Sequence, residues 1–220
     1  MLKLLGFPAS NYYNMVKMAL MEKGAEYEDV RVYSGSGEEY LSKSAMGKVP
    51  ALDTPHGSLS ETSVILDYIE DAVDGPSFYP ADPYERARTK ELLKFSELYL
   101  ELPARRCFGE AFFGTGPVSQ EVKDSVRPVI EKGCAAIKRR GRFSPYLAGD
   151  EITYADMVFL HSFPMALGVA KIVFDWDLFE DLPEAAALLE RLNERDTVKK
   201  IVADTAEGMK EFRKNYGMKD

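Results

Sequence analysis

A proline-rich segment divides this sequence into two parts with different patterns. It runs from residue 74 to 83 and holds Gly75, Pro76, Pro80 and Pro83. Proline and glycine at this density interrupt helices and strands, so the segment is expected to be a linker. Short apolar runs precede it and long amphipathic patterns follow it. We therefore expect two domains, over residues 1–77 and 83–210 of a chain of 220 residues.

The part before the linker alternates between strand and helix patterns. Short apolar or alternating runs predict strands, and apolar residues at helical spacing predict helices. The predicted strands lie at 2–7, 27–33, 48–53 and 58–59, and the predicted helices at 10–24, 38–42 and 61–72. This order of elements predicts a small α/β sandwich that opens with a βαβ unit.

The part after the linker has only helical patterns. Predicted helices cover 84–102, 119–140, 183–195 and 198–203, and the first is expected to stop at Pro103. A further helix begins behind a capping box, in which Thr153 and Asp156 satisfy each other's backbone groups, with Ile152 and Met157 placed as a hydrophobic staple. The cap accounts for both polar residues, so Asp156 is interpreted as structural and not as an acid or base.

Composition excludes several classes of protein. The net charge of −8 argues against nucleic-acid binding, which needs a basic surface. The chain has only two cysteines and two histidines, His56 and His161, which are far apart in sequence. We therefore expect no disulfide framework, no metal site and no Ser-His-Asp triad. No signal-peptide pattern opens the chain, and no stretch approaches the roughly 18 apolar residues of a membrane span. We therefore expect a cytoplasmic protein without membrane, nucleic-acid or metal partners.

Three motifs, in order along the chain, are typical of one family. They are Lys-Val-Pro-Ala-Leu at 48–52, Leu-Ser-Glu-Thr-Ser-Val-Ile at 59–65, and Gly-Asp-Glu-Ile-Thr-Tyr-Ala-Asp at 149–156. Each is weak alone, but together, with a linker between the second and third, they are specific. On these motifs the chain resembles the cytosolic glutathione S-transferases of bacterial type with a serine-type N-terminal loop, over nearly its full length. The resemblance implies an α/β thioredoxin-like N-terminal domain, an all-α C-terminal domain, glutathione as co-substrate and a homodimer.

The same resemblance implies a glutathione-binding set. Pro50 would follow a cis peptide bond, and the backbone of Val49 would pair with the cysteinyl unit of glutathione. Thr62, at a helix N-terminus, would hold the γ-glutamyl carboxylate, and Glu61 the neighbouring ammonium. Lys48 would reach the glycyl carboxylate. The alternative interpretation makes Glu61 and Thr62 a plain helix cap and Lys48 a surface residue.

Conjugation chemistry requires a group that stabilises the glutathione thiolate, because a free cysteine thiol titrates near about 8.5. Alignment with serine-type members places their catalytic serine on Ser10, and Tyr12 joins it as a glutathione contact. Asn11, Tyr12 and Tyr13 remain alternative donors, and Ser10 is also interpretable as a helix N-cap. No cysteine lies in this segment, which disfavours mixed-disulfide chemistry.

The second substrate is expected to bind between the two domains. Aromatic rings beside arginines suit a planar, partly anionic electrophile, although core and dimer packing explain the same residues equally well. The candidates are Tyr99, Arg105, Arg106, Phe108, Phe112 and Phe113.

The predicted function is transfer of glutathione to a small hydrophobic electrophile, in detoxification. One alternative is a glutathione-dependent isomerase, whose loop usually reads Ser-Ser-Cys where this chain has Ser10-Asn11-Tyr12. The other is a non-catalytic binding module, a type that often loses the Glu61-Thr62 pair retained here. The predicted helix at 84–102 has apolar residues on more than one face, which favours a homodimer.

Overall fold

The computed structural model describes residues 1–33 and 37–215. The chain forms two compact units, one of Met1–Phe78 with Glu194–Asp220 and one of Tyr79–Asn193. The first unit thus takes in residues 194–210, which the predicted range 83–210 assigns to the helical domain. The predicted domain ranges themselves stay predictions.

A four-stranded mixed sheet forms the centre of the first unit. Its strands are β1 (Leu2–Gly6), β2 (Tyr27–Arg31), β3 (Ala51–Thr54) and β4 (Gly57–Ser60), and its helices are α1 (Asn11–Glu22), α2 (Glu38–Leu41), α3 (Thr62–Ala72) and α11 (Asp196–Asn215). The sheet order is β2-β1-β3-β4, with β1 and β2 parallel and the other two pairs antiparallel. The predicted thioredoxin-like order of elements is confirmed.

Close packing joins β1 to α1. Gly6 ends the strand, and a Cβ atom there would lie 2.4 Å from Cδ2 of Tyr13, whose side chain is fully buried. Any side chain at position 6 would collide with the Tyr13 ring, so only glycine fits at the end of β1. On α3, Ile65 and Ile69 are buried, whereas Val64 is 50% exposed.

The second unit is helical, as predicted. It contains α4 (Pro83–Ser96), α5 (Leu102–Arg105), α6 (Phe108–Phe112), α7 (Gln120–Arg140), α8 (Tyr154–Phe174), α9 (Leu178–Asp181) and α10 (Glu184–Asn193). A π-helical stretch, Glu97–Glu101, joins α4 to α5. The predicted stop at Pro103 is therefore wrong. Proline lacks the N–H that an α-helical turn uses, and the wider π turn directly before it lets the chain continue.

The capping box of α8 forms as predicted, with Thr153 as the N-cap and Asp156 as the third helical residue. By length and composition alone, this helix of 21 residues could cross a membrane, which corrects the expectation that no stretch comes close. Serine, histidine and proline interrupt its apolar run but leave its mean hydropathy high. Half of that apolar window is buried inside the protein, as in a core helix.

The last helix is much longer than the predicted 198–203. It covers Asp196–Asn215, and its buried residues include Val198, Ile201 and Gly208. The apolar spacing is lost after Ile201 because the side facing α1 carries polar and small residues there. A pattern search for apolar residues therefore ends the helix too early.

Candidate active site

A short turn carries Ser10 from the end of β1 to the start of α1. The Ser10 backbone N–H donates to the carbonyl of Phe7 at 3.0 Å. The Ser10 side chain caps the helix, because its Oγ accepts the Tyr13 backbone N–H at 3.3 Å. A hydroxyl that accepts one N–H still has its own proton to donate. Ser10 is half-buried, so the cap and the thiol-donor interpretations are compatible.

The hydroxyl of Tyr13 already forms a hydrogen bond within the protein. The residue is fully buried, and its hydroxyl donates to Oδ1 of Asp29 on β2. Burial and the Asp29 carboxylate raise the pKa of Tyr13 well above its usual value. Asn11 and Tyr12, the first two residues of α1, are half-buried. The proton of the Tyr13 hydroxyl is therefore already used in the hydrogen bond to Asp29.

The Val49–Pro50 peptide bond is cis, as the family resemblance implied. The preceding carbonyl, that of Lys48, accepts hydrogen bonds from the Tyr40 hydroxyl at 2.9 Å and from the Ser44 hydroxyl at 2.7 Å. Burial raises the pKa of Tyr40 to about 12, so this donor keeps its proton at neutral pH. The hydrogen bonds from Tyr40 and Ser44 were not predicted from the sequence, because no local pattern links these two residues to Lys48.

Glu61 connects β4 to α3 with an unusual backbone. Its φ of 70° lies in the left-handed region, which costs a non-glycine residue roughly 1–3 kcal/mol. The residue is exposed, and within the described parts of the chain its carboxylate has no hydrogen-bond or ion-pair partner. Thr62 follows it as the first, buried residue of α3. The plain-cap interpretation of this pair is weakened, because Glu61 makes no side-chain capping hydrogen bond.

The sheet register brings these three segments to one edge. Leu5 of β1 pairs with Ala51 of β3, and Ala51 pairs with Ser60 of β4. The turn to Ser10 therefore leaves the sheet beside the Val49–Pro50 bond, and Glu61 leaves it on the other side of that bond. Backbone groups, a hydroxyl, a carboxylate and a helix N-terminus meet there, and this set suits a zwitterionic peptide ligand.

Comparison with known proteins identifies the family. Residues 4–77 match the family model for the glutathione S-transferase N-terminal domain, and residues 119–204 match that for the C-terminal domain. A glutathione S-transferase of Pseudomonas putida strain F1 is 50% identical over 212 residues, which cover 96% of each chain. The chain belongs to the glutathione S-transferase family.

More distant members of the family share the fold. Glutathione S-transferase U17 of Arabidopsis thaliana is 29% identical over 96% of this chain and 94% of its own. The crystal structure of glutathione transferase F2 from Populus trichocarpa superposes with a TM-score of 0.76 at 22% identity, covering 94% of this chain and all of that one. This similarity supports a thioredoxin-like domain followed by a helical domain.

In the second unit, only part of the predicted second-substrate set lies together. The Arg105 guanidinium lies 5.0 Å from the ring centre of Phe108, and Phe108 packs edge-on against Phe112 at 5.1 Å. Phe113 also contacts Phe108, at 6.5 Å. The other two candidates contact different residues. Tyr99 packs against Phe95 at 6.1 Å, and Arg106 donates to the Ser125 hydroxyl at 2.9 Å.

The two cysteines are poorly suited to thiol chemistry. Cys107 and Cys134 are both fully buried. Burial raises the pKa of Cys107, and it raises that of Cys134 to about 12. Because the thiolate is the reactive form, both are expected to be inert in the native protein. Within residues 1–33 and 37–215, no group of three acidic, histidine or cysteine side chains could hold a metal ion.

Proposed function

We propose that the chain is a glutathione S-transferase that adds the glutathione thiolate to a small hydrophobic electrophile, as a cytoplasmic, detoxifying homodimer. One observation carries the proposal: the sheet register gathers the Ser10 turn, the cis Val49–Pro50 step and Glu61-Thr62 at one edge. The high identity to the Pseudomonas relative supports the same activity.

In this proposal Ser10 donates its hydroxyl proton to the glutathione sulfur. Its Oγ is held at the N-terminus of α1, where the helix dipole also favours an anion. Such a hydrogen bond stabilises the thiolate and not the thiol, so it lowers the pKa of the bound thiol. Asn11 and Tyr12 are the remaining alternatives, because the Tyr13 hydroxyl is bonded to Asp29.

We assign glutathione binding to the residues around the cis Val49–Pro50 bond and at the start of α3. The backbone of Val49 pairs with the cysteinyl unit, Thr62 and the start of α3 hold the γ-glutamyl carboxylate, and Glu61 takes the ammonium. Lys48, with an exposed side chain, takes the glycyl carboxylate. The unpartnered Glu61 carboxylate and its left-handed backbone support this assignment, since backbone strain of this kind tends to occur at functional sites.

The electrophile is assigned to the residues around Phe108. Arg105, which is also ion-paired with Glu101, lies over the ring of Phe108, and Phe108 packs against Phe112. Rings beside a guanidinium suit a planar, partly anionic compound. Dimer formation is supported by large apolar side chains that remain exposed: Leu98, Tyr99 and Leu102 are 40%, 43% and 48% exposed. Sedimentation at micromolar concentration is expected to show a dimer, and a species of 24.7 kDa alone would contradict it.

The first experiment measures glutathione binding by calorimetry and then conjugation to a chloro-nitrobenzene electrophile. Glu61→Ala is expected to weaken binding about tenfold to a hundredfold, because losing a charged hydrogen bond costs roughly 1.5–3 kcal/mol. Glu26→Ala, which changes an exposed glutamate in the same unit, is the matched control. Absence of glutathione binding in the unaltered protein would favour the non-catalytic module, and binding without conjugation would favour the isomerase.

The second experiment separates the donor and cap roles of Ser10. Ser10→Ala removes both, whereas Ser10→Gly removes the donor but costs only a few tenths of a kcal/mol at an N-cap. Both are expected to slow conjugation about tenfold to a hundredfold near neutral pH. The loss should shrink as pH rises, when hydroxide supplies the thiolate. Unchanged turnover at pH 6.5 in both variants would leave Ser10 as a cap only.

A further inference from the structure

Helix α11 packs against the turn that carries Ser10, although almost the whole chain separates them in sequence. The contact runs along α1 and reaches the turn at its first residues, Phe7 and Pro8. The ring of Phe7 stacks on that of Phe212 at 5.6 Å. All of these residues belong to the first unit.

The closest approach is at Gly208. A Cβ atom at this position would lie 2.9 Å from Cβ of Pro8 and 3.3 Å from the backbone nitrogen of Ala9. Carbon atoms do not pack at 2.9 Å, so any side chain here would displace the turn or the helix. The missing side chain of Gly208 therefore sets the distance between α11 and the two residues that precede Ser10.

A buried amide ties the same three segments together. The side-chain nitrogen of Asn14 donates to the carbonyl of Pro8 at 2.9 Å and to the hydroxyl of Thr205 at 3.0 Å. Asn14 is only 4% exposed. The orientation of this amide is fixed by two acceptors, one in the turn and one on α11. Because the side-chain nitrogen of Asn14 donates to both groups, Thr205 helps to fix the position of the Pro8 carbonyl.

Ion pairs hold α11 in place along α1. Lys17, which is nearly buried, contacts Asp204 at 2.9 Å and Asp29 at 3.2 Å. Glu22 accepts from the Arg195 guanidinium at 2.5–2.8 Å, and Thr197 bonds to the same carboxylate. These contacts place the helix along α1 independently of the turn. The Gly208 and Thr205 contacts then transmit that placement to the residues before Ser10.

We infer that Gly208 and Thr205 are positioning residues for thiol activation, because they set where the Pro8–Ala9 backbone, and with it the Ser10 hydroxyl, lies. The inference rests on the proposed function, in which Ser10 donates to the glutathione sulfur. Glutathione affinity depends on other segments, namely the cis Val49–Pro50 step and the start of α3. A shift of the turn therefore changes the activation of the thiol and leaves its binding nearly intact.

Two variants test the two contacts separately. Gly208→Ala adds one methyl group at the closest approach, and it does not weaken the helix, since alanine is the better helix former by about 1 kcal/mol. Thr205→Val keeps the side-chain shape but removes the acceptor for Asn14. Thr205→Ser restores the hydroxyl and should restore wild-type behaviour. Glu207→Ala, at an exposed neighbouring position on the same helix, is the control for unspecific effects.

The readouts are the ultraviolet absorbance of the bound thiolate as a function of pH, the pH profile of kcat, and the calorimetric Kd for glutathione. Gly208→Ala and Thr205→Val are expected to raise the apparent pKa of the bound thiol by about one unit and to lower kcat near neutral pH about tenfold. The defect should shrink at high pH. Measured at a pH low enough to keep the bound thiol protonated, the Kd should stay within about twofold of wild type, since the contacts that hold glutathione are unchanged.

The outcomes separate this inference from the proposal on which it rests. If both variants lose only thermal stability and keep the wild-type pH profile, α11 is packing alone and the inference is wrong. If Gly208→Ala does not fold, Thr205→Val against Thr205→Ser decides by the same readouts. If Ser10→Ala itself leaves the thiolate absorbance unchanged, the proposed role of Ser10 fails, and the positioning role fails with it.

Discussion

Removal of the Asp156 side chain is expected to destabilise the helical unit strongly. The carboxylate is fully buried and accepts three hydrogen bonds. Its Oδ1 accepts the backbone N–H of Leu147 at 2.7 Å, and its Oδ2 accepts the backbone N–H and the hydroxyl of Thr153 at 2.8 and 2.9 Å. Asp156→Ala leaves two buried backbone donors without an acceptor. The hydroxyl of Thr153 can rotate to another partner, so it adds little.

The magnitude follows from these contacts. Each buried donor left unsatisfied costs roughly 1–3 kcal/mol, so the two together cost about 2–6 kcal/mol. Burial of the charge works in the opposite direction. It raises the pKa of Asp156 to about 6, although the hydrogen bonds from Leu147 and Thr153 lower it. Keeping this buried carboxylate ionised therefore costs free energy in the wild-type protein. We expect Asp156→Ala to lower the free energy of unfolding by about 2–4 kcal/mol at pH 7.

The sign of the pH dependence provides a sharper test. The folded protein holds the Asp156 proton up to a pH of about 6, whereas an unfolded chain releases it near about 3.9. The contribution of this group to stability is therefore largest below pH 4 and is lost as pH rises to 6. The stability gap between wild type and Asp156→Ala should narrow by about 2–3 kcal/mol between pH 4 and pH 7.

Urea unfolding followed by circular dichroism measures both quantities. Asp150→Ala, an exposed carboxylate in the loop before the same helix, is the matched control and should stay within about 0.5 kcal/mol of wild type. A gap below about 1 kcal/mol at both pH values would refute the hydrogen-bond reasoning. A gap that widens as pH rises would refute the conclusion that burial outweighs the hydrogen bonds.

Three further predictions concern buried contacts elsewhere. Lys23→Met should lower the free energy of unfolding by about 3–5 kcal/mol, because the Glu70 carboxylate would lose its countercharge. That carboxylate is 6% exposed and lies 2.9 Å from the Lys23 ammonium. A decrease of less than about 1 kcal/mol in thermal unfolding would contradict this prediction. Gly6→Ala should destabilise by about 1–3 kcal/mol, because the added methyl group meets the immobile Tyr13 ring, and unchanged unfolding would show that the ring can move. The two cysteines should react with a thiol reagent only in denaturant, because both are buried; rapid labelling of the native protein would disprove their burial.

Much of this fold follows from signals that act over a few residues. The linker proline and glycine residues, the alternation in the strands and the capping box at Thr153 and Asp156 were readable because each depends on neighbouring positions in the chain. The family motifs likewise pointed to Val49–Pro50 and Glu61-Thr62 as a ligand-binding pair. The cis bond at Val49–Pro50 and the capping box at Thr153 and Asp156 are confirmed, whereas the ligand-binding role of Val49–Pro50 and Glu61-Thr62 stays a prediction.

Other features were decided by contacts between residues far apart in sequence. The hydroxyl of Tyr13 stands in the same local segment as that of Ser10, yet its position on Asp29 depends on how β2 pairs with β1. The sequence predicts helix α11 only over 198–203, because beyond Ile201 the helix meets α1 through Asp204 and Thr205 and the turn before α1 through Gly208, which form no apolar pattern. Asn14 and Thr205 are 191 positions apart. Shape and hydrogen-bond complementarity between such residues has no local pattern, because it exists only once both surfaces are folded.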